Sequence, residues 1–396
     1  MELSTRLDTV IESQTLAMTK KARELKEKGH DVINLSIGEP DFDTPLSICD
    51  AATVAMQQGD THYTPVLGSL KFRQAIQSKL KRENNLDFEL NQIIVSNGAK
   101  QSLFNAIMSI INPGDEVILP SPFWVSYPSM VKFAGGICKE IRSSIESDFK
   151  VSAQQIEAEI TDKTKMIIFS SPCNPSGSVL SLKELQEWVS VLEKHPNITI
   201  VSDEIYEKIN YTDKFISIAS FPSIKDRVVV VNGLSKGFAM TGWRIGYLAG
   251  PIELVKACEK FQGLISSGAN SIAQSAGCEA LNGDQSEVSR MRDIFENRRN
   301  LMYEHLKNIP GIKVNVPEGA FYCFPDVSYY LNKSHNSYKI NNTEDLCIYL
   351  LENALVSTVS GDAFGSPECI RLSYATSEDL IVESIKRIKT ALEQLK

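Results

Sequence analysis

The sequence has no excess of positive charge. Its 396 residues include 41 lysines and arginines against 49 aspartates and glutamates, which gives a net charge of −8. A protein that mainly binds nucleic acid needs a basic face to neutralise phosphates, so this balance argues against such a partner. The apolar runs fall short of the roughly 20 residues that span a bilayer. The first residues contain no apolar segment like that of a secretory signal. We therefore expect neither a nucleic-acid partner nor a membrane anchor.

Spacings typical of metal sites are also absent. The eight cysteines are scattered without a C-x-x-C pair, and the five histidines lack the spacing of metal ligands. In a chain of this length, such cysteines are typical of reduced and mostly buried thiols. We therefore expect no metal ion and a cytoplasmic location.

What the sequence does contain is an alternation of short apolar runs with helical periodicity. Buried strands are predicted by the runs I-I-V-S, V-I-L-P, M-I-I-F, I-T-I-V and V-V-V-V. Segments between them, such as 101–111 and 182–193, have the spacing of helices. This alternation predicts an α/β architecture with a mainly parallel sheet flanked by helices.

The pattern changes from about Asp293 onward. A charged helix is followed by runs that predict further short strands, namely I-K-V-N-V, G-A-F-Y-C-F, V-S-T-V-S and I-R-L-S-Y-A, and the chain ends in a helix. An additional helix is predicted near the start, over Ser13–Lys28. We therefore divide the chain into a large domain, 46–288, and a smaller α+β domain formed by 1–45 plus 289–396.

Polar, aromatic or glycine residues follow each of the predicted parallel strands. In chain order they are Gly98-Ala99-Lys100, Trp124, Asn174, Asp203 with Tyr206, and Ser235 with Lys236. Each has an ordinary explanation when taken alone, such as core packing for Trp124 or a helix N-cap for Asp203. In parallel sheets, however, ligands bind at the edge formed by the carboxyl ends of the strands. A shared site explains all of these residues more simply than separate coincidences.

The stretch Val228–Gly250 contains the residues with the most distinctive chemistry. Lys236 follows the buried valine strand directly, beside Ser235, and Arg244 comes eight residues later. A lysine placed in this way can form a Schiff base with an aldehyde cofactor, and a hydroxyl and a guanidinium suit a phosphate. The turn at Gly98, between a strand and a helix N-terminus, also suits an anion. On this stretch alone, a surface lysine near a strand end remains the alternative.

Several blocks of the sequence resemble the signatures of one enzyme family. The blocks S-P-C-N-P-S-G, V-S-D-E-I-Y, L-S-K-G-F-A-M-T-G-W-R-I-G and I-R-L-S-Y-A resemble, in type and order, those of the class I pyridoxal-phosphate aminotransferases. Nearly the whole chain takes part, and it is similar to the bacterial branch of aspartate and prephenate aminotransferases. The resemblance implies the PLP-transferase fold type I, a homodimer with shared active sites, and a role in amino-acid metabolism.

The resemblance also implies how the cofactor, pyridoxal 5'-phosphate, is bound. Lys236 would hold it and move the substrate proton, and Asp203 would pair with the ring nitrogen. Tyr206 and Asn174 would hydrogen-bond the ring oxygen, and Trp124 would stack on the ring. The phosphate would be bound by Gly98, Ala99, Lys100, Ser235, Arg244 and the partner subunit's Tyr63.

For the substrate, the resemblance implies contacts with Gly38, Trp124, Asn174, Arg371 and Lys100. In I-R-L-S, alternation turns Arg371 away from its apolar neighbours, where it would clamp the α-carboxylate. Some aspartate aminotransferases bind the distal carboxylate with a partner arginine, but the corresponding stretch here, 263–274, contains none. The similar bacterial enzymes carry a lysine at the position of Lys100. We therefore expect an aminotransferase that moves an amino group between aspartate or glutamate and a 2-oxo acid by a ping-pong mechanism.

Other functions fit the same residues. An aromatic or prephenate aminotransferase would need the same residues, as would a β-lyase or a cyclopropane-carboxylate synthase of the same fold, because the cofactor supplies the difficult chemistry. A catalytically silent binding protein on this fold is the alternative from another class.

Overall fold

The structure, a computed structural model, describes residues 4–9 and 14–396. Strands in this part of the chain have the following bounds: β1 Ile33–Asn34, β2 Ile93–Ser96, β3 Glu116–Pro120, β4 Ile137–Ile141, β5 Thr164–Ser170, β6 Thr199–Asp203, β7 Val228–Gly233, β8 Gly246–Ala249, β9 Tyr322–Cys323, β10 Ser334–His335, β11 Tyr338–Lys339, β12 Val356–Ser357, β13 Val359–Ser360 and β14 Ile370–Ser373.

Helices alternate with these strands through most of the chain. Their bounds are α1 Gln14–Glu27, α2 Leu46–Gln57, α3 Leu70–Asn84, α4 Ala99–Ile110, α5 Ser126–Phe133, α6 Ala153–Glu159, α7 Leu182–Leu192, α8 Ile252–Ile265, α9 Ser271–Asn282, α10 Ser286–Leu306, α11 Thr343–Asn353 and α12 Glu378–Leu392. The helix predicted over Ser13–Lys28 corresponds to α1, and Ser13 lies outside the described residues.

The central sheet has seven strands in the order β2-β8-β7-β6-β5-β3-β4. The pairs from β7 through β6, β5 and β3 to β4 are parallel, whereas β8 runs antiparallel to both of its neighbours. The predicted α/β architecture with a mainly parallel sheet is therefore confirmed.

The central strands consist of apolar residues because the sheet is covered on both faces. In β7, Val228 and Val230 pack into one hydrophobic cluster, and Val229 and Val231 pack into another cluster on the opposite face. All four are fully buried. Successive side chains of a strand point to opposite faces, so a run of valines is what a strand between two helical layers requires.

The sequence analysis missed two strands of this sheet. Strand β4 lies at the edge, next to β3 alone, and carries Lys139 and Glu140. Charged residues are common on edge strands, and here they hide the apolar pattern. Strand β8 begins at Gly246, inside a motif that we interpreted for its chemistry rather than for its backbone.

The C-terminal part of the chain builds smaller sheets around its own core. Strands β13, β14 and β9 form an antiparallel sheet, and β1 pairs with β12 in parallel. The strand predicted for I-K-V-N-V is wrong, because this segment forms only an isolated bridge between Lys313 and Asp326. A separate hydrophobic cluster joins this part to the N-terminal segment, with members such as Met18, Val32, Phe295, Leu346, Leu372 and Ile385.

The division into domains 46–288 and 1–45 plus 289–396 stays a prediction. The separation of the C-terminal cluster from the two clusters that flank the central sheet supports it. Residues 1–3 and 10–13 of the smaller unit lie outside the described part of the chain. Within residues 4–9 and 14–396, no helix has both the length and the apolar character needed to cross a membrane.

Candidate active site

A cavity of about 360 Å³ lies where the carboxyl ends of the central strands meet the smaller C-terminal sheet. Its lining includes these residues predicted from the sequence: Gly38, Ala99, Lys100, Trp124, Asn174, Asp203, Tyr206, Ser235, Lys236, Arg244 and Arg371. Gly98 and Tyr63 are the predicted site residues that do not line it. The separate strand ends therefore converge on one space, as the sheet topology requires.

Asp203 is a buried carboxylate at the end of β6. Its Oδ2 accepts a hydrogen bond from the Tyr127 hydroxyl at 2.7 Å, and its Oδ1 accepts one from the Ile205 backbone N–H at 3.3 Å. Within the described chain, no lysine or arginine forms an ion pair with it. Burial raises the pKa of Asp203 to about 6. A turn follows β6, so Asp203 does not cap a helix.

Arg371 provides a buried charge of the opposite sign. It lies on β14, is 2% exposed, and donates to Asn174 Oδ1 at 3.0 Å and to the Ser36 carbonyl oxygen at 2.8 Å. Its Nε has no hydrogen-bond partner, and no carboxylate of the described residues pairs with it. Burial lowers the pKa of this guanidinium. A buried cation without an anion suits a carboxylate ligand.

Lys236 lies at the same cavity, in the turn that follows β7. Its ammonium donates a hydrogen bond to the carbonyl oxygen of Gly38, which also lines the cavity. The pKa of Lys236 is lowered to about 8, chiefly by burial and also by the positive charges of Arg371 and Arg244, while the charges of Glu39 and Asp203 oppose this shift. The neutral amine is therefore populated near pH 8, and its lone pair can accept a proton or attack a carbonyl carbon.

Two tyrosines shape the space between the lysine and the arginine. The hydroxyls of Tyr206 and Tyr322 lie 2.9 Å apart, and the Arg371 guanidinium lies 4.4 Å from the centre of the Tyr322 ring. A Cβ added at Gly38 would lie 2.9 Å from the Tyr322 hydroxyl, which explains why this position has no side chain. Burial raises the pKa of both tyrosines, so both hydroxyls stay protonated.

Sequence reasoning missed Tyr127 and Tyr322. Tyr127 lies within α5, one turn after Trp124, and the two rings pack edge to face with their centres 5.5 Å apart. Tyr322 reaches the site because β9 pairs with β14, where it lies opposite Ser373. Neither position has a local signal, since strand pairing and helix direction in three dimensions bring these side chains to the cavity.

The opposite end of the cavity has the features of an anion site. Gly98, with φ of 86°, precedes the first residue of α4, where the helix dipole and free backbone N–H groups favour negative charge. A Cβ on Gly98 would lie 2.5 Å from Arg244 Nη2, and one on Gly246 would lie 2.4 Å from the backbone nitrogen of Ala99. Glycine is therefore required at both positions for the arginine and β8 to approach this turn.

Lys100 and Trp124 lie together on the wall of the cavity. The Lys100 ammonium is 4.9 Å from the centre of the Trp124 ring, a cation–π distance. Burial lowers the pKa of Lys100, and the charge of Arg244 adds to the effect. Lys100 is thus a partly desolvated cation without a carboxylate partner in the described chain.

Tyr63 is separate from the cavity of its own chain. It lies in the loop between α2 and α3 and is 98% exposed. The prediction that it contacts the cofactor phosphate of a partner subunit therefore stays a prediction.

Comparisons with known proteins identify the family. The model of the aminotransferases of class I and II matches residues 30–388. A probable aspartate/prephenate aminotransferase of Rhizobium leguminosarum is 48% identical over 390 residues, with 98% of each chain covered. An aspartate/prephenate aminotransferase of Nitrosomonas europaea is 48% identical over 396 residues, covering 99% of this chain and 100% of that protein.

Solved structures agree with these sequence matches. The aspartate aminotransferase from Rhizobium meliloti superposes with a TM-score of 0.97 at 41% identity, over 100% of both chains. The aspartate aminotransferase from Thermus thermophilus, solved with maleate, superposes with a TM-score of 0.93 at 38% identity, over 99% of this chain and 100% of the other.

The buried charge of Asp203 predicts a pH-dependent cost in stability. Its pKa in the folded chain, about 6, lies above its ordinary value of 3.8, so the folded state binds the proton more tightly. Stability is therefore lost as pH rises from about 4 through 6. Asparagine cannot ionise, so Asp203→Asn avoids this loss. The free energy of unfolding of the variant minus that of wild type should therefore be about 1–3 kcal/mol more positive at pH 8 than at pH 4. Urea unfolding of the chain freed of small molecules measures this difference.

Tyr127→Phe provides the matched variant for this test. In the wild type, the hydrogen bond from the Tyr127 hydroxyl lowers the pKa of Asp203. Without this hydroxyl the pKa of Asp203 rises, so the loss of stability between pH 4 and pH 8 should become larger than in wild type. A constant difference between Asp203→Asn and wild type across this range would contradict the assignment of a buried, unpaired carboxylate.

Proposed function

Because the chain belongs to the class I and II aminotransferases, it is a transferase of amino groups, and we propose that it uses pyridoxal 5'-phosphate to act on aspartate or glutamate. The observation that carries the proposal is the pair of buried, unpaired charges, Asp203 and Arg371, at the cavity that also contains Lys236. An amino acid bound through a cationic cofactor ring supplies both missing partners: a ring N–H for the carboxylate and an α-carboxylate for the guanidinium.

The residues present fit this cofactor from end to end. The cradle formed by Gly98, Ala99 and the Lys100 backbone, with Ser235 and Arg244, suits a phosphate dianion. Asp203, at the far end, suits the ring nitrogen, because a protonated nitrogen satisfies a carboxylate that the chain leaves unpaired. Trp124 offers an aromatic face, and the polar groups of Asn174 and Tyr206 suit the ring oxygen.

When bound, pyridoxal phosphate withdraws electrons from the substrate Cα–H bond and carries the amino group between the two half-reactions. The residues of the chain bind, orient and move the proton. Lys236 would hold the cofactor through Nζ. Once the substrate amine has displaced it, its neutral amine would take the proton from the substrate Cα and deliver it to the cofactor carbon that retains the amino group. The lowered pKa of about 8 suits this task, since it makes the amine available close to neutral pH.

Arg371 orients the substrate for that proton transfer. Its two Nη atoms present a fork that matches the two oxygens of an α-carboxylate. The hydrogen bonds to Asn174 and Ser36 hold the fork in place, and the ring of Tyr322 packs against it. The hydrogen bond from Lys236 Nζ to the Gly38 carbonyl oxygen joins the N-terminal segment to the lysine that would react. Displacement of Lys236 by substrate would therefore also affect the position of this segment.

Lys100 is the cation that we assign to the distal carboxylate of the substrate. The stretch 263–274 contains no arginine that a partner subunit could contribute. The flexible side chain of Lys100 can move away from the Trp124 ring to bind an acidic substrate side chain. It can keep its contact with the Trp124 ring when the substrate side chain is neutral. The maleate in the Thermus thermophilus structure, a dicarboxylate, supports an acidic substrate for the family branch.

Prephenate is a further candidate for the amino-group acceptor, because it appears in the names of two relatives. The Rhizobium leguminosarum and Nitrosomonas europaea proteins carry prephenate in their names, at 48% identity. The mobility that we propose for Lys100 suits a substrate with both a carboxylate and a ring.

A lyase of the same fold would need the same cofactor residues, so it must be distinguished from a transferase by its products. A silent binding protein would have no need for the lowered pKa of Lys236.

A homodimer completes the proposed site. Tyr63 is exposed in the single chain, together with the apolar side chains of Leu46, Leu70 and Leu264. Burial of these residues against a second copy would remove apolar surface from water and bring the partner's Tyr63 to the phosphate end. A cytoplasmic location stays a prediction.

Lys236→Ala should abolish multiple turnover while the protein still folds. The alanine can neither hold the cofactor covalently nor accept the proton, so the steady-state rate with aspartate and 2-oxoglutarate should fall by about 10³-fold or more. Circular dichroism checks the fold, and a coupled assay of the product 2-oxo acid measures the rate. Turnover near that of wild type would remove Lys236 from the mechanism.

Lys100→Ala should weaken acidic donors selectively. Loss of a charged hydrogen bond costs about 1.5–3 kcal/mol, so kcat/KM for aspartate and glutamate should fall roughly ten- to hundredfold. The value for a neutral donor such as alanine should stay within about threefold. Lys132→Ala, at an exposed lysine of α5, is the matched control and should change neither value. Equal losses for acidic and neutral donors would make Lys100 a cofactor residue instead.

A further inference from the structure

Two buried glutamines lie just outside the cavity. Gln262 is on α8 and Gln274 is on α9, and they are 0% and 1% exposed. Neither lines the cavity, and the proposed reaction gives them no task. Burial of a primary amide is costly unless its donors and acceptor are satisfied, so the partners of these side chains show what they hold.

Gln262 joins the phosphate end of the cavity to the loop that carries Tyr63. Its Nε2 donates to the carbonyl oxygens of Val66 at 3.0 Å and Val95 at 2.9 Å. Its Oε1 accepts from Ser96 Oγ at 2.8 Å and Asn105 Nδ2 at 2.9 Å. One side chain thus contacts the loop, the end of β2 and helix α4, and uses both donors and both acceptor sites of its amide.

Gln274 fastens the same loop from the other side. Its Nε2 donates to Thr64 Oγ1 at 3.1 Å and to the Ala269 carbonyl oxygen at 2.8 Å, and its Oε1 accepts from the Ser69 backbone N–H at 2.7 Å. The Thr64 hydroxyl in turn donates to the Ala269 carbonyl oxygen at 2.9 Å. The loop is therefore tied at Thr64, the residue next to Tyr63, and again where α3 begins.

The loop is held by its own backbone hydrogen bonds together with those of the two glutamines. Residues 64–69 include no helix or strand, and two backbone hydrogen bonds hold the loop: Val95 N–H donates to the Leu67 carbonyl oxygen and Gly68 N–H to the Pro65 carbonyl oxygen. The glutamines supply further hydrogen bonds at Thr64, Val66 and Ser69. The close approach of the loop to β2 is visible at Gly68, where a Cβ would lie 2.4 Å from Val95 Cγ2. The loop also approaches the segment between α8 and α9 closely, since a Cβ on Gly268 would lie 2.4 Å from the Thr64 carbonyl oxygen.

We propose that Gln262 and Gln274, the glutamine pair, are positioning residues that hold the Tyr63 loop and the phosphate-binding turn in one fixed arrangement. The pair thereby determines how strongly the protein prefers a phosphorylated cofactor to its unphosphorylated form. This inference rests on the proposed function, in which Gly98–Lys100 of one chain and the partner's Tyr63 bind one phosphate. Gln262 positions the Gly98–Lys100 part of that site through its hydrogen bonds to Ser96 and Asn105. Both glutamines position Tyr63 through their hydrogen bonds to its loop.

The test compares two ligands that differ only in the phosphate. Protein freed of cofactor is titrated with pyridoxal 5'-phosphate and with pyridoxal, and dissociation constants are measured from absorbance. In Gln274→Met, the ratio of the two affinities should fall by about tenfold or more, because the loop loses the hydrogen bonds that join Gln274 to Thr64 and to Ser69. The affinity for pyridoxal itself should stay within about threefold. Gln262→Met should change the ratio in the same direction.

A double variant shows whether the glutamine acts through the tyrosine. Tyr63→Phe should lower the ratio by itself, and Gln274→Met combined with Tyr63→Phe should lower it by less than the product of the two single effects. Gln274→Glu keeps an acceptor for Ser69 but cannot donate to Thr64, so it should lower the ratio as Gln274→Met does. It supplies the same answer if the methionine variant does not fold.

Gln77→Met is the matched control. Gln77 is a half-buried glutamine of α3 that donates to the Phe88 carbonyl oxygen at 2.7 Å and does not line the cavity. It should leave the ratio unchanged whatever it does to the midpoint of urea unfolding. Equal losses for both ligands, or no loss, in a folded glutamine variant would overturn the inference while wild type still binds pyridoxal phosphate. A wild-type protein that fails to bind pyridoxal phosphate would overturn the proposed function itself.

Discussion

The site depends on two buried charges that the chain leaves without partners. Asp203 and Arg371 face the same cavity with opposite signs, and no ion pair within the described chain neutralises either one. Burying such a charge costs free energy that neutral hydrogen bonds return only in part. The raised pKa of Asp203 is the direct sign of that cost. A cation and an anion at the right separation would remove both penalties, and in the proposed function the cofactor ring and the substrate α-carboxylate supply them together.

The fold keeps these charges apart and in place through two different parts of the chain. Asp203 ends a central strand of the parallel sheet, whereas Arg371 lies on a short strand of the smaller C-terminal sheet. The N-terminal segment contacts both parts, because its Ser36 and Gly38 carbonyl oxygens accept hydrogen bonds from Arg371 and Lys236. Lys236 therefore lies where three regions of the sequence meet, and burial beside Arg371 and Arg244 explains its lowered pKa.

Much of this arrangement could be predicted from the sequence, because buried parallel strands leave a strong apolar signal. The residues that follow those strands were found because the topology brings all of them to one edge. Strand β4 was missed because an edge strand carries charges, and I-K-V-N-V was misread because an alternating pattern does not guarantee a pairing partner. Tyr127, Tyr322 and the glutamine pair, Gln262 and Gln274, have no local signal, since their roles arise from contacts between elements distant in sequence.

The most direct test of the central claim is the stoichiometry of a single half-reaction. Protein loaded with pyridoxal phosphate is mixed with aspartate in the absence of any 2-oxo acid, and oxaloacetate and ammonia are both measured. We expect about one oxaloacetate per chain and no ammonia, followed by an arrest that added 2-oxoglutarate relieves, because the amino group stays on the cofactor. Continued release of ammonia would identify a lyase, and a failure to form any oxaloacetate would contradict the account of Asp203, Lys236 and Arg371 as a site for an acidic amino acid.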